Sequence, residues 1–158
     1  MKKLLITTLI TIALSANLFA GHIQRNNAKA KASSTVLKKF SKDYPNAKDV
    51  KWSLDEKYQK ADFIKNNIKM TVFYNWQNQF VALSMVIDAK IIPAGTQKEI
   101  ANQYPDLVIN EFFLVQYNTE INPDADEATY FVDLKNNSKE IVASIAPDTH
   151  IHFFTRIK

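Results

Sequence analysis

No cysteine occurs among the 158 residues. Disulfides, thiolate metal sites and lipid-modified export signals are therefore excluded, and stability must come from packing. Glycine is nearly as scarce: Gly21 and Gly95 alone cannot build a glycine-rich cradle for phosphate. No serine stands in the glycine-flanked elbow of nucleophilic hydrolases. Arginine is limited to Arg25 and Arg156, and the lysines are not interleaved with aromatics along one helix, so nucleic acid is not an expected partner.

What is present begins with an address. Lys2 and Lys3 precede an apolar stretch over 4–16, and Asn17-Leu18-Phe19-Ala20 offers a small residue before Gly21. Residues 1–20 are thus an expected signal peptide, too short and too soon polar for a good membrane span, and the destination is periplasmic or secreted. Residues 21–32 are polar and without period, a flexible lead-in. Charge is unevenly spread over the rest. From Arg25 to Lys69 there are 12 basic and 5 acidic residues, and from Met70 to Lys158 there are 6 basic and 11 acidic. Two differently charged surfaces, or an attraction between halves, would follow.

Two stretches 60 residues apart organise the chain: Phe40-Ser41-Lys42-Asp43-Tyr44-Pro45-Asn46 and Ile100-Ala101-Asn102-Gln103-Tyr104-Pro105-Asp106. An apolar residue four before a tyrosine suits the last buried turn of an amphipathic helix, and proline then stops it. Ser33, Ser34 or Thr35 can cap the first helix, with Val36, Leu37, Phe40 and Tyr44 on one face. Strands are expected over 50–54, 59–65, 69–75 and 80–88, with Asn66-Asn67 and Trp76-Gln77-Asn78-Gln79 as turns. The order recurs. Thr96 and Glu99 match a capping box, and Phe112 falls where Trp52 does. Strands follow over 107–117, 129–135, 139–146 and 150–157, with a long acidic loop over 121–128. Lys135-Asn136-Asn137 repeats Lys65-Asn66-Asn67, whereas matching Phe63 to Phe131 needs a different offset. The expected fold is α+β: two tandem helix-plus-four-strand antiparallel units, 33–92 and 93–158, with helices on one face of the sheet.

The helix, Tyr44-Pro45-Asn46-Ala47, Val50-Lys51-Trp52 and Ala61-Asp62-Phe63 before a hairpin together resemble the PepSY-like family of exported bacterial proteins, also called beta-lactamase-inhibitor-like. The likeness spans the mature chain, clearest over 40–86. It implies helices packed on one sheet face, with the other face free for a partner, and no catalytic residues. A turn glycine usual in the family is absent from Trp76-Gln77-Asn78-Gln79.

Chemistry-bearing patterns are few. His150 and His152, two apart on a strand, could share a metal, but no third ligand is evident. Asp124, Asp126 and Glu127 cluster without the glycine and spaced ligands of a calcium loop. No cofactor is expected. Recognition has more support, because several strands carry aromatics on both faces. If Trp52 and Phe112 face the helices, Phe113, Val115 and Tyr117 face away. If Val81, Leu83, Met85, Ile151 and Phe153 face the helices, Phe80, His150, His152 and Phe154 face out. Phe80, Phe113, Tyr117, His150, His152 and Phe154 are therefore the candidate contacts for an unidentified protein or peptide partner. An inhibitory role is one form this could take. A ligand- or metal-binding envelope sensor, a small hydrolase and self-association are the alternatives.

Overall fold

In the computed structural model, residues 31–146 and 150–157 are described. The expected signal peptide lies outside these residues, as do the lead-in up to residue 30 and the turn over 147–149. Ala32, at the end of the lead-in, is already buried against the first helix and its strands.

Ser33 starts helix α1, Ser34–Asp43: its hydroxyl accepts the Val36 N–H at 3.2 Å, satisfying one of the amides that a helix start leaves exposed. Val36 and Phe40 turn inward, whereas Leu37 stays exposed. Both helices close in the same way. The Tyr44 N–H donates to the Phe40 carbonyl at 2.8 Å, and in α2, Ala94–Gln103, the Tyr104 N–H donates to Ile100 at 2.9 Å. The two tyrosines have φ/ψ of −127°/60° and −128°/62°. Proline next in line enforces the stop in each case.

The expected capping box at Thr96 and Glu99 is not formed. A short 3-10 turn over Ala89–Ile91 leads into the helix three residues earlier, with Pro93 at the cap position and no side-chain cap bond. Thr96 is consequently buried inside the helix, its hydroxyl without a partner. Gln97 stabilises the start instead, its amide donating to the carbonyls of Ala89 and Ile92, both at 2.9 Å.

Eight antiparallel strands form one sheet in chain order: β1 Lys48–Leu54, β2 Tyr58–Lys65, β3 Ile68–Asn75, β4 Phe80–Ile87, β5 Val108–Tyr117, β6 Ala128–Lys135, β7 Glu140–Ile145 and β8 Ile151–Arg156. Asparagine does glycine's work in the turns. Asn66 and Asn67 both have positive φ between β2 and β3, and Asn78 does so between β3 and β4. The β6–β7 connection, despite its similar sequence, is a different turn in which the Asn136 side-chain oxygen accepts the N–H groups of Ser138 and Lys139.

Four of the seven strand pairs carry a bulge, each adding local twist and shifting which side the following residues face. At the first, Asp49 has φ 53°, and Val50 leaves the face shared by Trp52 and Leu54 and stays exposed. Pairing also settles the register of β6. Trp52 stands opposite Ala61 and Phe112 opposite Val132, so Leu134, not Phe131, occupies the place of Phe63. Phe131 thereby falls on the other side of the sheet.

Both helices cover one face. Val36 and Phe40 pack with Phe63, Val72 and Tyr74, and Ile100 packs with Phe112, Val132, Leu134 and Ile141. Leu83 and Ile87, at alternate positions of β4, belong to the first and second of these cores, so both cores lie on one side. Gln59, fully buried, ties the start of α1 to the β3–β4 turn: it accepts the Ser33 N–H at 2.7 Å and donates to the Asn75 carbonyl at 3.1 Å.

Candidate functional site

The helix-free face has two tones. One row of paired residues crosses it as Lys51, Asp62, Thr71, Ser84, Val115 and Thr129. The next row toward the second half reads Val86, Phe113, Phe131, Ser144 and His152. The first half of the chain thus gives this face charge and hydroxyls, with Thr71 donating to the Asp62 carboxylate at 2.7 Å. The second half gives it most of its rings, joined by Tyr58 and Phe73 from the first.

Those rings form a third core, on the side of the sheet away from α1 and α2. Phe113 is 3% exposed and Phe131 2%; they stack with centroids 5.4 Å apart and planes 4° from parallel. Phe154 meets Phe131 edge-on at 5.1 Å, and Tyr58 meets Phe73 edge-on at 6.0 Å. Val81, Ala82, Val115 and Val142 complete the cluster, and Tyr58, Tyr117, Phe154 and Ile157 close over it while staying partly accessible.

The candidate contacts are sorted by this arrangement. Phe113 is a sealed core ring, not a surface contact: it lies beneath its own neighbours. Phe80 lies on the helix side, 6.5 Å from the Tyr74 ring, because the β3–β4 bulge inserts an extra residue. Val81 is consequently on the helix-free face, opposite to expectation. Tyr117 and Phe154 are half-buried at the margin of the ring cluster, and His150 and His152 are exposed. Phe153, placed on the helix side by its pairing with Ala143, is 59% exposed on the edge strand. Among the described residues no cluster of three or more His, Asp or Glu could hold a metal ion.

Tyr117 and Phe154 meet at a cleft of about 240 Å³, whose lining also includes Phe131, Thr129 and Ser144 from the sheet and Asp124 and Asp126 from the β5–β6 loop. Asn118 staples that loop. Its backbone N–H donates to the Val81 carbonyl and its amide to the Phe80 carbonyl, both at 2.9 Å, and its own carbonyl accepts the N–H groups of Ile121 and Asn122. Burial, with a smaller contribution from the nearby Tyr58 phenol, pushes Tyr117 up to about 12, so its hydroxyl remains a donor at any physiological pH.

Phe131, Thr129, Ser144 and Asp133 escaped the reading of candidate sites. Alternation along β6 places Thr129, Phe131 and Asp133 on one side, a signal that the doubtful register concealed. Asp133 is 7% exposed; Asn110 donates to one of its oxygens and the other has no partner. Burial raises its carboxyl above the usual value, opposed by the Asn110 bond and the Lys135 charge. The folded protein therefore binds this proton more tightly than the unfolded chain does. The ionised carboxylate costs stability at neutral pH, and the cost is relieved as pH falls through the raised value. Asp133→Asn is expected to stabilise the protein at neutral pH. That gain should shrink as pH falls through the raised value, where wild-type Asp133 takes up its own proton; thermal melts across the acidic range check it.

Solved structures share this architecture. A BLIP-like protein from Bacteroides fragilis is 14% identical, with 82% of this chain and 89% of that one aligned at a TM-score of 0.59. The fold is BLIP-like. A candidate periplasmic protein from Bacteroides eggerthii shares the BLIP-like fold at 19% identity, 80% and 90% coverage and a TM-score of 0.64. A DUF2874 family protein from Bacteroides uniformis shares it at 24% identity, 77% and 86% coverage and a TM-score of 0.61. At these identities the likeness is one of fold. No protein-family model and no curated protein matches the chain. Among the described residues, no helix of this BLIP-like fold is long and apolar enough to cross a membrane.

Proposed function

We propose that the protein is a non-enzymatic, PepSY-like binding protein of the bacterial periplasm or exterior, built from two related helix-plus-four-strand units. It recognises a protein or peptide through the second half of its helix-free face. The observation that carries this reading is the sealed ring core of Phe113 and Phe131, bordered by the accessible Tyr117, His152 and Phe154 and by an open cleft. A rigid apolar floor with partly exposed aromatic and polar tips is the composition of a recognition patch. Phe113 backs this surface and does not touch the partner. Among the described residues the cleft lining offers the hydroxyls of Thr129 and Ser144 but no histidine or lysine to activate them, which favours binding over hydrolysis. Periplasmic placement is supported by the leading sequence and by the candidate periplasmic protein that shares the fold.

Photo-crosslinking in cells of the source organism tests the reading. A benzophenone side chain placed at His152 or Phe154 should capture a partner protein, and the same group at Leu37 or Lys38 on α1 should not. Adducts formed only from α1 would overturn it. Adducts containing only a second copy of the chain would replace it with self-association.

A further inference from the structure

We propose that the cleft bounded by Tyr117, Phe131, Phe154, Asp124 and Asp126 receives an arginine side chain of the partner. This deepens the recognition reading and rests on it. Size limits the occupant first. At about 240 Å³ the cleft is smaller than the roughly 300–1,000 Å³ of small-molecule sites, so one long side chain fits the space better than a whole ligand.

Charge selects its sign. Asp124 and Asp126 stand exposed at the cleft, and among the described residues no hydrogen bond or ion pair engages either carboxylate and no basic residue lines it. The surrounding half of the chain is itself acidic, with 11 acidic and 6 basic residues from Met70 onward. The floor then selects between cations. Aromatic surface from the partly accessible Tyr117 and Phe154 suits a planar guanidinium, which stacks on ring faces and pairs with carboxylates in a fork, better than a compact, strongly hydrated ammonium. Asn118 holds the loop bearing the two aspartates, so the carboxylates are positioned before a partner arrives. A second open cleft, about 340 Å³, lacks this combination: Lys39 lines it together with Glu120, and among the described residues its one aromatic ring is that of Phe80.

The probe is acetyl-arginine N-methylamide, titrated into the ¹⁵N-labelled protein and followed by amide chemical shifts. Shifts should centre on Tyr117, Asp124 to Asp126 and Thr129. The uncharged norleucine counterpart should bind at least about tenfold more weakly, and the lysine counterpart should fall between them. The double variant Asp124→Asn/Asp126→Asn should lose at least about fivefold in arginine affinity with its melting temperature unchanged, since both side chains are at the surface. Equal binding of norleucine, shifts centred elsewhere, or an unaltered double variant would overturn the proposal. Crosslinks from His152 and Phe154 together with any of those results would leave partner recognition standing and remove the arginine. Arginine binding in the cleft together with crosslinks only from α1 would support the arginine site and overturn the partner surface.

Discussion

Phe113→Ala should destabilise the protein by about 3–5 kcal/mol, the range for truncating a buried ring. The ring is 3% exposed and lies flat on Phe131, with Val86 and Phe131 as its cross-strand neighbours. Neither α1 nor α2 packs on this side, so neither can shift into the void. Against a typical total of about 5–15 kcal/mol, a loss of that size removes a third or more of the stability. Urea unfolding followed by far-UV circular dichroism measures it. Had Phe113 been an exposed contact, as alternation alone suggested, substitution would cost within about 0.5 kcal/mol. The two outcomes are far enough apart for one melting series to separate them.

Phe40→Ala should cost a similar amount, about 3–5 kcal/mol. Its ring sits among Tyr44, Trp52 and Phe63, with centroids 5.2, 5.3 and 5.1 Å away. The contacts with Trp52 and Phe63 are edge-on, the arrangement that aromatic quadrupoles favour. Phe40 and Val36 are the two buried residues of α1, a ten-residue helix too short to persist without tertiary contacts. Losing the larger anchor should therefore loosen the helix as well as the core. Leu37→Ala, three residues earlier on the exposed side, is the control and should cost within about 0.5 kcal/mol. Equal losses at Leu37 and Phe40 would mean that α1 docks on a different face.

The ends of both helices were legible because Tyr44-Pro45 and Tyr104-Pro105 encode them locally: the ring's missing N–H and its clash act on the adjacent residue. Asn66-Asn67 was legible for the same reason, a left-handed turn written in two side chains. Phe80 was not. Its side of the sheet depends on one residue inserted opposite β3, and an extra residue reverses the alternation without changing composition. The register of β6 failed similarly, because Lys135-Asn136-Asn137 copies the letters of the earlier turn but not its backbone. Phe113 was placed on the correct side yet misjudged as exposed. Phe131 stacks on it and Phe154 joins the same cluster through strand pairings that no local pattern records. Thr96 resembled a cap until Pro93, three residues before it, opened the helix.

The helix-free face is a core with an accessible margin, and that division decides which residues a partner can reach. Hydroxyl-radical footprinting of the free protein measures it in a single experiment. Trp76 and Phe153 should be oxidised readily, Tyr117 and Phe154 at intermediate rates, and Phe73, Phe113 and Phe131 barely at all. Oxidation of Phe113 as fast as that of Phe153 would contradict the account.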